Sequence, residues 1–340
     1  MSARRSTIKD IALAAGVSPR AVSAALNDTG RVSPATRERV RSLARQLNYR
    51  PNVMARALVR SRTYMVGAVF PYANVSFFNE IISGIEARCT ERNYDVLLGN
   101  ASLLHAEEEQ RAIQRMLDRR VDGIVCAPDV TEAELFRNLA ASGPPVLQVM
   151  TRLPGVDLPY IGVDNELGGS LACRHLLNLG HRNIAFLAST RPNYAEIDQR
   201  RRGYHAALTE ARIEPQPERN ETACDLTIDG GRVATQGLLR HNKAITAIFA
   251  PTDYAAIGAV QGCLELGLRV PEEISVVGYD DLEVAAAQIL YPLTTVAQPK
   301  RDIGIQAFDL LEALIEGEHV ASRLLHPTLV PRSTTARSPR

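Results

Sequence analysis

The sequence predicts two folds in one chain. A small all-α helix-turn-helix head with a short hinge helix is followed by an α/β domain of two lobes, built on parallel, doubly wound sheets. Three observations carry this. The first 62 residues hold 13 Lys+Arg against 3 Asp+Glu, whereas the rest hold 26 against 35, so a net of +10 and a net of −9 hide inside a whole-chain value of +1. Residues 7–27 write two short helices around a tight turn. After residue 62, apolar β-branched runs alternate with helical stretches, the rhythm of a parallel sheet covered on both faces.

The head follows in order. Thr7 is a good N-cap, and Asp10 three residues later completes a capping box. Ile8, Ile11, Ala12 and Ala15 recur at helical spacing. Gly16 stands where a helix ends in a left-handed residue. Ser18 then caps a second helix with Pro19 at its first position, where a missing N–H costs nothing. Ser33-Pro34 opens a third helix the same way. Val40, Leu43, Ala44 and Leu47 form its buried stripe, with Arg37, Arg39, Arg41 and Arg45 mostly outside it. Residues 51–60 are a separate element: Pro51-Asn52 opens about two helical turns over 53–58, too short to be stable alone.

In the larger region, candidate strands cover 65–70, 94–98, 121–127, 146–149, 160–163, 184–187, 247–250 and 274–277. Helices fall between them, among them 78–92, 106–119, 167–179, 255–266 and 301–315. This length exceeds one comfortable core, so two lobes are expected.

A compact module at +10 attracts a polyanion by counterion release. A solvated basic face is the alternative, and the helix-turn-helix pattern favours nucleic acid. The second helix, about 19–26, then belongs in the major groove with its early residues near base edges. Arg20 can donate two bonds to guanine. Ser18, Ser23 and Asn27 read as phosphate contacts that fix register, with Ser18 also serving as a cap. Thr7 is expected on the same DNA-facing surface.

Residues 7–62 resemble the head of the LacI/GalR family of bacterial transcriptional regulators. The matching residues are Thr7-Ile8, Asp10-Ile11-Ala12, Ala15-Gly16-Val17-Ser18, Val22-Ser23, Leu26-Asn27, Val32-Ser33, Thr36-Arg37, Val40, Leu47-Asn48-Tyr49, Pro51-Asn52 and Ala55-Arg56-Ala57-Leu58. The resemblance continues to about residue 335 through Val121-Asp122-Gly123-Ile124, Val163-Asp164-Asn165, Leu179-Gly180-His181-Arg182, Gly278-Tyr279-Asp280-Asp281 and Pro292-Leu293-Thr294-Thr295.

That resemblance implies a head over 1–50, a hinge over 51–62 and a tail over 336–340. Between them, 63–335 would form a periplasmic-binding-protein-like domain for effector binding and dimerisation. Its first lobe would span about 63–162 and 292–320, and its second about 163–290 and 321–335, with crossings near 162, 291 and 320. The positions of Pro19, Arg20 and Ala24 would help choose the operator. The hinge, with Asn52 and Ala55, would contact DNA and wedge Leu58 into the minor groove, kinking the duplex. Two hinges meeting at one site imply a twofold homodimer on a near-palindromic operator.

Ligands in such sheets bind at the carboxyl ends of strands. Candidates by position are Phe77, Phe78, Asn100, Asp129, Arg152, Arg200, Asp253 and Asp280. Carboxylates and guanidinium groups suit a polyhydroxylated effector, and aromatic faces cover its apolar side; the family resemblance implies a carbohydrate-related one, with sugar acid, polyol and nucleobase also open. Arg200 and Asp280 match family positions that hold the effector. Asp253 reads equally as an N-cap, one of Phe77 and Phe78 as core, and Asp280 also as a surface acid after a strand. Thr151 stands where many sugar-responsive relatives carry Asp before Arg152.

Catalytic chemistry finds no footing. Five cysteines are scattered without a C-x-x-C spacing and read as small buried hydrophobes. His175 and His181 are six apart, which is no helical metal pair, and His181 reads as structural. Adjacent Asp280 and Asp281 point apart on a strand end and make a poor acid/base dyad. No metal, cofactor or enzyme activity is expected, which leaves a receptor for transport or an α/β enzyme as the weaker alternatives. The N-terminus has no apolar signal core and no run reaches 18 apolar residues, which predicts a cytoplasmic protein. The tail has no heptads, so a dimer is the expected state.

Overall fold

The computed structural model describes residues 6–49, 62–71, 75–101, 106–128, 133–191, 194–287 and 291–339. The chain divides into two compact units, Met1–Thr63 and Tyr64–Arg340.

The first unit packs helices α1 (Ile8–Ala15), α2 (Pro19–Leu26) and α3 (Pro34–Gln46) around Ile11, Ala15, Val22, Ala25, Val40 and Ala44. Local chemistry sets each helix end. The Thr7 hydroxyl accepts from the Asp10 backbone N–H while the Asp10 carboxylate accepts from the Thr7 backbone, the reciprocal pair of a capping box. Gly16 ends α1 at φ 62°, in the left-handed region where a side chain would be strained. Ser18 and Ser33 cap α2 and α3, each followed by Pro. Two details differ from the sequence pattern. Leu47 is 36 % exposed and caps α3 rather than completing its buried stripe. The arginines expected outside the stripe are largely engaged: Arg37 and Arg41 both reach Asp28, and Arg39 donates to the Ala15 carbonyl at 2.6 Å, satisfying an orphan group at the end of α1.

The second unit holds two six-stranded sheets. The first-lobe sheet uses β1 (Met65–Pro71), β2 (Asp95–Ala101), β3 (Gly123–Cys126), β4 (Val146–Val149), β5 (Tyr160–Val163) and a late strand, β11 (Arg323–Leu325), in the order β11-β5-β4-β3-β1-β2. All its pairs are parallel. Helices α4 (Val75–Glu91), α5 (Ala106–Asp118), α6 (Ala133–Ser142) and α13 (Lys300–Ile315) belong to this lobe.

The second-lobe sheet uses β6 (Ile184–Ser189), β7 (Glu221–Cys224), β8 (Ala247–Phe249), β9 (Ser275–Asp280), β10 (Thr294–Ala297) and β12 (Thr328–Val330), in the order β12-β10-β9-β8-β6-β7. Only the β10–β12 pair is antiparallel. Its helices are α7 (Asn165–Asn178), α8 (Ala195–Glu210), α9 (Pro217–Asn220), α10 (Ile228–His241), α11 (Asp253–Glu265) and α12 (Glu283–Ala287). Apolar clusters fill both faces of both sheets, as a doubly wound sheet requires.

Strand pairing moves two of the expected crossings. The first follows β5 at Val163, but β10 pairs with β9, so residues 294–297 belong to the second lobe and the next crossing lies between Ala297 and Lys300. The last lies between Leu325 and Thr328, because β11 pairs with β5. The short runs Thr294–Ala297 and Arg323–Leu325, four and three residues, carry too little pattern to be assigned to a lobe from sequence. The C-terminal stretch is bonded to the second lobe. Thr334 is fully buried, exchanging bonds with Val276, and Ala336 and Ser338 are bonded to Ser275 and Leu179. His181 is structural: its ring joins Thr246 and the Ala336 carbonyl, and burial lowers its pKa.

Candidate functional site

In the head, the start of α2 stands open. Ser18, Pro19 and Arg20 are all exposed, and among the described residues none holds the Arg20 guanidinium. The Ser18 hydroxyl accepts from the Ala21 N–H at 3.2 Å, so capping is one of its roles. Ser23 and Ala24 are half-buried. Asn27 donates its side-chain amide to the Ser23 carbonyl (2.9 Å) and hydroxyl (3.3 Å), so these two residues serve each other at the end of α2. Thr7 is likewise committed to its capping box. Of the residues expected to face DNA, Arg20 is thus the one long polar side chain presented outward. Asn52, Ala55 and Leu58 lie outside the described residues.

In the second unit, the carboxyl ends of three neighbouring strands deliver the polar candidates. Arg200 lies on α8, after β6; Asp253 opens α11, after β8; Asp280 ends β9. All three are buried, Arg200 to 5 % and Asp253 to 0 % exposure. Arg200 donates through Nε to Asn165 Oδ1 (2.9 Å) and through Nη1 to the Pro251 carbonyl, and Asp280 Oδ1 lies 3.6 Å from Nη1. Its guanidinium also sits 3.7 Å from the centre of the Tyr279 ring, a cation–π contact in a buried setting.

Asp280 takes an unusual backbone conformation at φ 113°, followed by Asp281 at 52°. Such left-handed non-glycine residues persist only where their surroundings over-determine them. Gln298 donates to Asp280 Oδ1 at 2.7 Å, and Arg332 donates to the Asp281 carboxylate at 2.6 Å. The two adjacent carboxylates do point to different partners. Among the described residues, no hydrogen-bond partner reaches the buried Oε1 of Gln298.

Asp253 is not an N-cap. Thr252 caps α11, and Asp253 turns inward, where its carboxylate accepts from the Leu282 N–H (2.7 Å) and the Thr295 hydroxyl (2.6 Å). Burial, and secondly the nearby Asp280 charge, push its pKa well up. Burial raises Asp280 as well, against the opposing pull of Arg200. Two acids in one low-dielectric pocket resist ionising together.

The remaining candidates fare differently. Phe77 and Phe78 are both in the first-lobe core, edge-to-face at 5.1 Å, with Phe78 also against Phe70, so both rings rather than one of the pair are core. Arg152 is exposed just after β4. The Asn100 side chain and Asp129 are outside the described residues. Sequence reasoning missed Asn165, Thr295, Gln298 and Lys300. Lys300 carried a signal: it is a cation at a helix start, where the dipole disfavours it.

Residues 7–52 match the family model described as bacterial regulatory proteins, lacI family, and residues 173–335 match a periplasmic binding protein-like domain. Over 336 residues the chain is 36 % identical to the HTH-type transcriptional repressor PurR of Vibrio atlanticus (strain LGP32), covering 96 % of this chain and 98 % of the relative. The chain belongs to the LacI family. Among solved structures, the lac repressor dimer bound to operator and the anti-inducer ONPF is 30 % identical with a TM-score of 0.86, covering 98 % of this chain and 100 % of that one. The CelR–cellobiose complex is 31 % identical with a TM-score of 0.73, covering 97 % and 100 %.

As a LacI-family member the chain is a DNA-binding transcriptional regulator, with duplex DNA and a small-molecule effector as its partners. Its relatives PurR and the HTH-type transcriptional repressor CytR of Escherichia coli (strain K12), 33 % identical over 98 % of this chain and 97 % of that one, are named as repressors and not as enzymes. Among the described residues, no helix is long and apolar enough to cross a membrane.

Proposed function

We propose that this chain is a cytoplasmic repressor that acts as a homodimer on a near-palindromic operator, and that a carbohydrate-related molecule held between its lobes controls that binding. The observation carrying the effector reading is the buried Arg200–Asp280 pair at 3.6 Å, on the carboxyl ends of neighbouring strands. A guanidinium beside a carboxylate offers a donor and an acceptor at the spacing of two hydroxyls on one ring, and the aromatic ring of Tyr279 stiffens the arrangement. Phe77 and Phe78 would support the wall of the crevice from the core, with Arg152 at its rim and Asp253 behind Asp280. CelR, solved with cellobiose, shares the architecture.

On the DNA side, Arg20 reads base edges, with apolar contacts from Pro19 and Ala24. Thr7 orders α1, Ser18, Ser23 and Asn27 order α2, and all four lie near the phosphates. Asn52, Ala55 and Leu58 act in the hinge, with Leu58 as the minor-groove wedge. The effector works by preferring one interlobe geometry.

The test begins with selection of random duplexes at one moderate salt, which should enrich a near-palindrome. That duplex is then titrated with and without pentoses, hexoses, disaccharides, sugar acids, nucleosides and nucleobases. A shift in operator affinity with a sugar-like compound, abolished by Asp280→Asn, supports the reading. Response only to a nucleobase would overturn it. Leu58→Ala should weaken operator binding and spare effector binding, and equal operator affinity would remove the wedge.

A further inference from the structure

We infer that Lys300 is a positioning residue that fixes the Asp280–Asp281 turn and ties it to the opposite lobe. The importance of that turn rests on the reading of Asp280 as an effector contact, but the tie itself is a matter of geometry. Lysine is almost never fully buried unless paired, and Lys300 is only 3 % exposed. It also occupies the first turn of α13, where its charge opposes the helix dipole. Something specific must hold it there.

An ammonium has three donors, and three acceptors surround this one. Nζ donates to the Asp280 carbonyl at 2.7 Å and the Asp281 carbonyl at 2.9 Å, and lies 3.0 Å from Glu80 Oε1. The two carbonyls belong to the second lobe. Glu80, on α4, and Lys300 itself, on α13, belong to the first. The ammonium therefore bridges the lobes at the two residues with left-handed backbones. Gln298 and Arg332 hold the carboxylates of the same turn, whereas the Lys300 ammonium bonds its carbonyls and, from them, reaches a first-lobe carboxylate. A second tie, the Ser76–Tyr254 hydroxyl pair at 2.9 Å, is exposed and open to competition from water. Without the ammonium, the strained turn can relax and carry the Asp280 carboxylate away from Arg200, and the lobes lose a buried polar link, keeping the apolar contact of Leu282 with the first-lobe core.

The experiment needs no effector. The five native cysteines are buried, so spin labels can be placed at the exposed sites Arg137→Cys and Lys243→Cys, one in each lobe, in the full chain. Interlobe distances are then read by pulsed electron resonance in the parent, Lys300→Met and Glu80→Gln. With labelled protomers diluted into unlabelled protein, so that distances are read within one protomer of the dimer, the parent should give one main population. Lys300→Met should add a second, displaced population, and Glu80→Gln should add a smaller fraction of the same one. A mere packing role predicts no change, because Met matches the length of the lysine stem and Glu80 is half-exposed. Parent-like distributions in both variants would overturn the inference. If Lys300→Met does not fold, Glu80→Gln decides alone. Retained sugar response in Asp280→Asn would sink the effector reading and leave the distance result standing.

Discussion

Gly203→Ala gives a prediction whose sign, not only its size, is set by the helix crossing that carries Arg200. At the contact of α7 with α8, a Cβ on Gly203 would lie 1.9 Å from the Glu166 carbonyl oxygen and 2.7 Å from the Ser170 nitrogen. A Cβ added to Gly169, on the facing helix, would lie as close to the Arg200 carbonyl oxygen, at 2.0 Å. Ordinary van der Waals contact begins near 3.4 Å, so the helices must part by more than an ångström, and backbone atoms cannot step aside as a flexible side chain would. Overpacking of this kind costs about 1–3 kcal/mol. Replacing a helical Gly by Ala returns about 0.5–1 kcal/mol. The net is a loss of roughly 1–2 kcal/mol, or a melting point lower by roughly 2–8 °C for a unit of this size. The parting also pulls Arg200 Nε away from Asn165 Oδ1, so the effector response should weaken alongside stability. The control is Gly237→Ala on α10, where the added Cβ meets nothing within 4 Å and helix propensity should stabilise by about 0.5–1 kcal/mol. Thermal melts of the full-length variants decide. A Gly203→Ala melt at or above that of the parent would refute the close-crossing argument.

Two further outcomes are expected. Arg20→Ala should cost about 1–3 kcal/mol of discrimination at one base pair in each half-site, measured by titrating the selected duplex against single-base variants; unchanged base preference would remove Arg20 from readout. Asp253→Asn should flatten the dependence of stability on pH. Because burial raises the Asp253 pKa in the folded state, the folded protein keeps this proton longer than the unfolded chain. The contribution is fully present below the ordinary carboxylate range near pH 4 and is lost as pH rises through the folded pKa into weak alkali. Urea midpoints of parent and variant should diverge towards high pH, with the variant higher. Parallel curves would show that Asp253 is not a raised acid.

The sequence revealed what is local. Thr7 with Asp10, Gly16, and Ser18 with Pro19 act within one helical turn, so their pattern determines their structure and the structure repeats it. The strands and helices around β1 to β6 were legible because apolar runs there alternate with helices of clear period, even where the strand itself is four residues long. Less was legible where partners are distant. Asp253 read as a cap because a helix follows it, yet it meets Thr295, 42 residues on, and Leu282. Phe77 and Phe78 could not be sorted, since a ring lining a crevice and a ring in a core carry the same period. The crossing near residue 298 was placed too early because three or four β-branched residues fit either sheet; the hydrogen bonds of β10 to β9 decide it.

Where that crossing lies bears directly on how a ligand signal could travel. Gln298 sits in the short passage between β10 of the second lobe and α13 of the first, and Lys300 opens α13. Gln298 grips the Asp280 carboxylate and Lys300 grips its carbonyl, two residues apart. A molecule that competes for the Asp280 carboxylate therefore acts on a segment that is itself the connection between the lobes. Packed interfaces have discrete arrangements rather than a continuous range, so a small rearrangement at Gln298 can favour one interlobe geometry over another without a long chain of intermediaries. Such a ligand still has to bind one geometry better than the other. The left-handed backbone at Asp280 and Asp281 supplies a reason for the difference, because releasing Lys300 relieves strain in one arrangement and restoring it pays the strain back in the other.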